Sequence, residues 1–179
     1  MNLSAKQYVK KFTVNADGLT CPLLFLGGNC GLTYTVEGSG NFVNSNIQYL
    51  ICGGSNGGTD KVSKLAVRNS KVEYFQTNNR GFIKNVHDVT FTNCEITNLF
   101  VAGDSTDSSV TGETGFVDKI QVSKSTLQKL YAGTQGGEVI SKYNDLAKIL
   151  GKIVISTTTK FEFGEEHGND IFGDFIKRV

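Results

Sequence analysis

The residues of this chain best suited to chemistry are its carboxylates. Hydrolysis of a glycosidic bond needs two carboxyl groups about 5–9 Å apart, so the question is which acids can converge. Asp104, Asp107 and Glu113 fall close together in the stretch DSTDSSVTGETG. Asp88 and Asp118 stand just after Val86 and Val117. Stacked as like charges, those two would raise a pKa or attract a cation. Glu165, Glu166, His167 and Asp170 crowd into GEEHGND, where no ligand spacing matches a metal site type, so the stretch reads as an exposed turn. His87, among apolar positions, reads as an outward strand residue rather than a base. GGSNGG lacks the Lys-Ser/Thr of a phosphate-binding loop and reads as a turn. Cys21, Cys30, Cys52 and Cys94 include no CxxC pair and no nearby histidine pair, which predicts reduced thiols rather than a zinc site. No catalytic residue, metal ligand or cofactor is assigned on these grounds.

What positions any of these side chains is a repeat. The stretch VHDVTFTNCEIT carries apolar residues at Val86, Val89, Phe91 and Ile96. A helical stripe recurs at three and four residues, and a strand alternates throughout. Here the alternation runs through Val89 and Phe91, breaks at Asn93 and resumes at Ile96, which predicts two short strands joined by a bend. Similar stretches are FVNSNIQYLICGG from Phe42, AVRNSKVEYFQTNNRG from Ala66 and QVSKSTLQKLYAGTQGG from Gln121. The bend residues are Asn44, Asn69, Asn93 and Lys124, with spacings of 25, 24 and 31 residues. A small residue follows each: Ser45, Ser70, Cys94 and Ser125. Downstream the apolar columns are Ile47, Val72, Ile96 and Leu127, then Leu50, Phe75, Leu99 and Leu130. Upstream, Val62, Leu65 and Val67 match Val86, Val89 and Phe91, and match Val117, Ile120 and Val122. The first copy keeps only Phe42 of that set.

A unit this short cannot close a core alone. Stacked units can, because each apolar column then lies about 4.8 Å from the same column in the next turn. Asparagine at the bend tolerates the left-handed backbone, and its amide can bond to the amide one coil on. Lys124 departs from the pattern, so a buried amide ladder is expected to stop at the third coil. Composition agrees with β structure and glycine or asparagine turns: 21 glycines, 1 proline and no tryptophan. A chain of 179 residues makes one domain. Its 18 basic and 17 acidic residues form no basic stripe, so no nucleic-acid partner is expected. No run approaches the roughly 20 apolar residues that cross a bilayer, so no membrane partner is expected. The opening MNLSAKQYVKKFTV lacks the apolar centre of a signal peptide.

Stretches such as NVHDVTFTNCEI resemble the right-handed parallel β-helix proteins, which include pectin-degrading enzymes and many phage tail-spike and tail-fibre domains. The resemblance covers roughly residues 40–137 and concerns architecture. It implies an all-β fold, a short right-handed parallel β-helix of about four coils. The coils are expected over residues 41–138, N-terminal strands or a degenerate first coil over 1–40, and a C-terminal cap over 139–179. Within that cap, VISKYNDLAKIL has helical spacing with Gly151 as its stop. KIVISTTTKFEF then reads as a strand, and GNDIFGDFIKRV as an aromatic tail.

The Asp-Asp, Gly-His-Gly and Arg-x-Lys motifs of the pectin-degrading type are not visible in the sequence. The resemblance therefore implies a non-catalytic structural or receptor- or carbohydrate-binding module, as in a phage tail fibre or spike. It also implies a homo-oligomer, with a trimer favoured, located in the virion or the host cytoplasm. A small carbohydrate-active lyase or hydrolase, and an intracellular viral protein that inhibits a host factor, stay open as alternatives. The register sets Tyr49 above Tyr74 on an outward face, where an aromatic pair can stack on a sugar ring. It also sets Lys71 beside Glu95, and Arg80 near Asp104. The surplus residues before the fourth bend predict an exposed loop over 104–115 that borders any ligand. Candidate binding residues are accordingly Tyr49, Tyr74, Arg80, Asp104, Asp107 and Glu113.

Overall fold

A computed structural model describes residues 7–27, 33–53, 58–78, 82–101, 113–131, 150–156, 159–163 and 176–178. Among these residues every regular element is a β-strand. A long strand, a tight bend and a short strand recur along the chain. The first such unit is β1 (Gln7–Asp17) with β2 (Thr20–Phe25), followed by β3 (Thr33–Val43) with β4 (Asn46–Ile51). Next come β5 (Gly58–Arg68) and β6 (Lys71–Gln76). The following long strand is split into β7 (Phe82–Val86) and β8 (Val89–Thr92) ahead of β9 (Glu95–Phe100). Then β10 (Glu113–Ser123) leads to β11 (Thr126–Tyr131). Last are β12 (Leu150–Ile155), β13 (Glu162–Phe163) and β14 (Ile176–Arg178).

All the pairings among the described strands are parallel. The long strands stack as β1-β3-β5-β7-β10-β12-β14, with β8 also joining β5 to β10, and the short strands stack as β13-β11-β9-β6-β4-β2. Parallel neighbours cannot be linked by a hairpin, and here the rest of each coil makes the crossover. The molecule is a parallel β-solenoid.

The core follows the sequence columns. Val62 pairs with Val86, Leu65 with Val89, Val67 with Phe91, Val72 with Ile96 and Phe75 with Leu99. Val117, Ile120, Val122, Leu127 and Leu130 continue the same columns. All of these side chains are buried in one cluster. Phe75 and Phe91 meet edge to face, with centroids 5.1 Å apart, a favoured aromatic arrangement.

The bends are set by five residues in the left-handed region: Gly18, Asn44, Asn69, Asn93 and Lys124. Gly18 adds a bend that the repeat does not show, and β1 and β2 pair in register with β3 and β4. The N-terminal stretch is therefore built as a coil. The gap in the upstream columns of the Asn44 copy has a packing reason. Gly38 is in register with Val62, and Gly40 with Leu65. A Cβ on Gly38 would lie 2.2 Å from the Leu26 carbonyl oxygen, and one on Gly40 would lie 2.7 Å from Phe42 Cε2. Leu26 and Phe42, both fully buried, fill the volume that valine and leucine fill elsewhere.

Two expectations change. The helix over 139–150 falls mostly outside the described residues, but Leu150 and Gly151, its expected end, belong to β12. Likewise 104–112 lie outside the described residues, while 113–115, expected in the loop, belong to β10. Glu113 pairs with Phe82 and Thr114 with Ile83. Backbone hydrogen bonding to β7 holds this segment in the sheet, a pairing that requires no apolar alternation in the sequence.

Candidate functional site

Tyr49 and Tyr74 are in register on β4 and β6. Their rings are stacked 4.7 Å apart and within 7° of parallel, which is the spacing of the strands that carry them. The column continues to Leu23 on one side and Asn98 on the other. Each ring face is thus turned along the column, toward its neighbour. The half-buried pair presents ring edges outward rather than a flat platform. Arg80, Asp104 and Asp107 lie outside the described residues, and Glu113 is placed only by its backbone in β10. Of the candidate binding residues, the described structure brings together Tyr49 and Tyr74.

Asp88 and Asp118 do not stack. Val86 is in register with Val117 and Val89 with Ile120, which leaves His87 facing Asp118 and Asp88 facing Lys119. His87 Nδ1 bonds Asp118 Oδ2, and Lys119 Nζ lies 3.2 Å from Asp88 Oδ1. A one-residue offset replaces the expected like-charge pair with a histidine–carboxylate hydrogen bond and a lysine–carboxylate ion pair. On the same sheet Glu37 forms ion pairs with Lys61 at 3.3 Å and Lys11 at 3.7 Å, and Asp60 meets Lys84. A hydrogen bond from Ser63, then the Lys61 ammonium, hold the Glu37 carboxyl below its ordinary value. Among the described residues no group of acids, histidines and cysteines could hold a metal ion.

The bend corner carries two parallel networks. In the first, Asn93 Nδ2 donates to Asn69 Oδ1 and Asn69 Nδ2 to Asn44 Oδ1. Asn44 Nδ2 then donates to Asp17 Oδ1 at 2.8 Å. In the second, the residue after each bend supplies a buried acceptor. The Ser45 N–H donates to Ser70 Oγ, and the Cys94 N–H to Ser125 Oγ, each at 2.9 Å. The hydroxyls of Ser45, Ser70 and Ser125 each donate to the carbonyl two residues back. This explains the column of small residues that the sequence shows without a reason. Asp17 was missed because the repeat was anchored on asparagine. A polar groove runs along this corner past Asn69, Asn93, Lys71, Glu95 and Lys124. Burial pushes the Cys52 and Cys94 thiols up, as expected of structural cysteines rather than reactive ones.

A scan against family models, a search of the curated proteins and a search of the solved structures each return no match to this chain.

Proposed function

We propose that the chain is a non-catalytic β-solenoid module that binds a glycan or a surface receptor and associates with copies of itself, in the manner of a phage tail fibre or spike. The supporting observation is the state of four acids along the long strands. Glu37, Asp60 and Asp88 are each tied to a lysine, and Asp118 to the His87 ring. A general acid needs a carboxyl whose pKa is held up, by burial or by a like charge. The Glu37 carboxyl is held down instead. Rigid parallel sheets that repeat polar side chains at the strand spacing suit recognition of an extended polymer or of a second subunit. In this reading the module is a virion component, or acts in the host cytoplasm, and a homotrimer is its working state.

The test is a glycan-array screen together with solution mass by light scattering. A trimer mass, or a retained glycan that is not cleaved, supports the proposal. A monomer that depolymerises a polysaccharide overturns it in favour of the lyase or hydrolase reading.

A further inference from the structure

We infer that a shallow dish on the outer surface of β1, β3 and β5 binds the acidic groups of an extended glycan, with Lys64 and Arg68 as the anion contacts. The inference rests on the reading of the chain as a binding module. Lys64, Ala66 and Arg68 alternate along β5 and line the dish, with Asn15, Ser39 and Asn41 from the neighbouring strands. Asn15, Asn41 and Ala66 occupy one column by strand register. The small Ala66, only 2% exposed, leaves a depression between two exposed cations.

The charged groups that line this dish are three cations, Lys11, Lys64 and Arg68, against one carboxylate, Glu37. Arg68 Nη1 donates to Asn41 Oδ1 at 3.3 Å. That contact engages the amide oxygen and leaves Asn41 Nδ2, the rest of the guanidinium and the Lys64 ammonium as donors. Such a surface calls for a ligand rich in acceptors, and its charge calls for an anion. Neither Lys64 nor Arg68 meets a carboxylate among the described residues, whereas the one acid lining the dish, Glu37, is held by Lys11 and Lys61. The Cα atoms of Lys64 and Arg68 lie about 13 Å apart along a strand, which fits two acidic groups on one chain better than a single small ion. No aromatic side chain lines the dish among the described residues, so it lacks the stacking surface that single-stranded nucleic acids use. The acidic group is a sulfate or a carboxylate, both of which share the required chemistry.

The test uses the full chain, immobilised, with sulfated dextran, polygalacturonate, uncharged dextran, polyglutamate and a single-stranded oligonucleotide as probes. At least one acidic glycan is expected to bind, uncharged dextran not to bind, and the affinity to fall as salt rises. Lys64→Ala and Arg68→Ala should each weaken binding about tenfold, with unchanged melting temperatures, and Lys129→Ala on the other sheet should not weaken it. Whether sulfated dextran or polygalacturonate responds to the two variants identifies the acidic group. The site is overturned if no acidic glycan binds, if Lys129→Ala is as damaging, or if polyglutamate or the oligonucleotide binds as tightly. An uncharged glycan retained equally by Arg68→Ala would remove this site and leave the binding-module reading standing. Loss of all glycan binding in a monomeric protein would remove both.

Discussion

Asn93 and Asn69 hold equivalent left-handed bends, with φ of 55° and 50°, and the Asn93 amide nitrogen donates to the Asn69 amide oxygen at 2.9 Å. The same hydrogen bond recurs from Asn69 to Asn44, and the series ends on the Asp17 carboxylate. The side-chain amides therefore point one way, with their N–H ends toward a negative charge. Lys124 takes the corresponding bend beyond Asn93. The opposite charges at the two ends suit this alignment, for the reason that they suit the ends of a helix. All three asparagines are exposed, so the ladder is not the buried one expected. Its value lies in backbone conformation more than in satisfied burial.

Asn93→Ala is accordingly expected to be more destabilising than Asn93→Gly, by about 1 kcal/mol, because alanine strains the left-handed bend and glycine does not. Urea unfolding of the two variants decides it. Equal losses would place the contribution in the amide hydrogen bond instead.

Lys124→Asn should stabilise by about 0.5–1 kcal/mol, since asparagine adopts φ near the observed 51° more readily and can extend the amide series. A melting temperature at or below that of the parent protein would contradict this.

Cys94 stands in a serine column. Its sulfur lies 3.4 Å from both the Val67 and Thr92 carbonyl oxygens, either of which can accept the thiol hydrogen, and the Ser70 N–H bonds to its sulfur. Cys94→Ser keeps both roles and should stay within about 1 kcal/mol of the parent. Cys94→Val leaves the Ser70 N–H buried without an acceptor and should cost about 1–3 kcal/mol. If the two variants unfold at the same denaturant concentration, the column carries packing alone.

Glu37 links stability to pH. Its carboxyl is held below the ordinary value of 4.5, so its ionised form stabilises the fold above that value. The contribution is lost as pH falls from there through the lowered pKa. The melting temperature should therefore drop less over this acid range in Glu37→Gln than in the parent. Parallel curves would show that the ion pairs with Lys11 and Lys61 contribute nothing measurable.

The solenoid is legible in the residues alone. Alternating apolar residues specify which side of each short strand is buried, and their recurrence at similar spacing specifies that the units stack. The bends at Asn44, Asn69, Asn93 and Lys124 were legible for the same reason: alternation must break where the chain turns. Which polar side chains meet depends on the stacking of the coils. The spacing between units does not fix whether His87 or Asp88 faces Asp118, and the pairing of Val86 with Val117 does. Nor does local pattern show that Leu26 fills the place of side chains missing at Gly38 and Gly40, because that volume is shared between distant residues. The dish around Ala66 is of the same kind. Asn15, Asn41 and Arg68 come from three different strands. Periodicity records burial one residue at a time, whereas charge pairing, volume filling and recognition depend on neighbours that only the stacked coils supply.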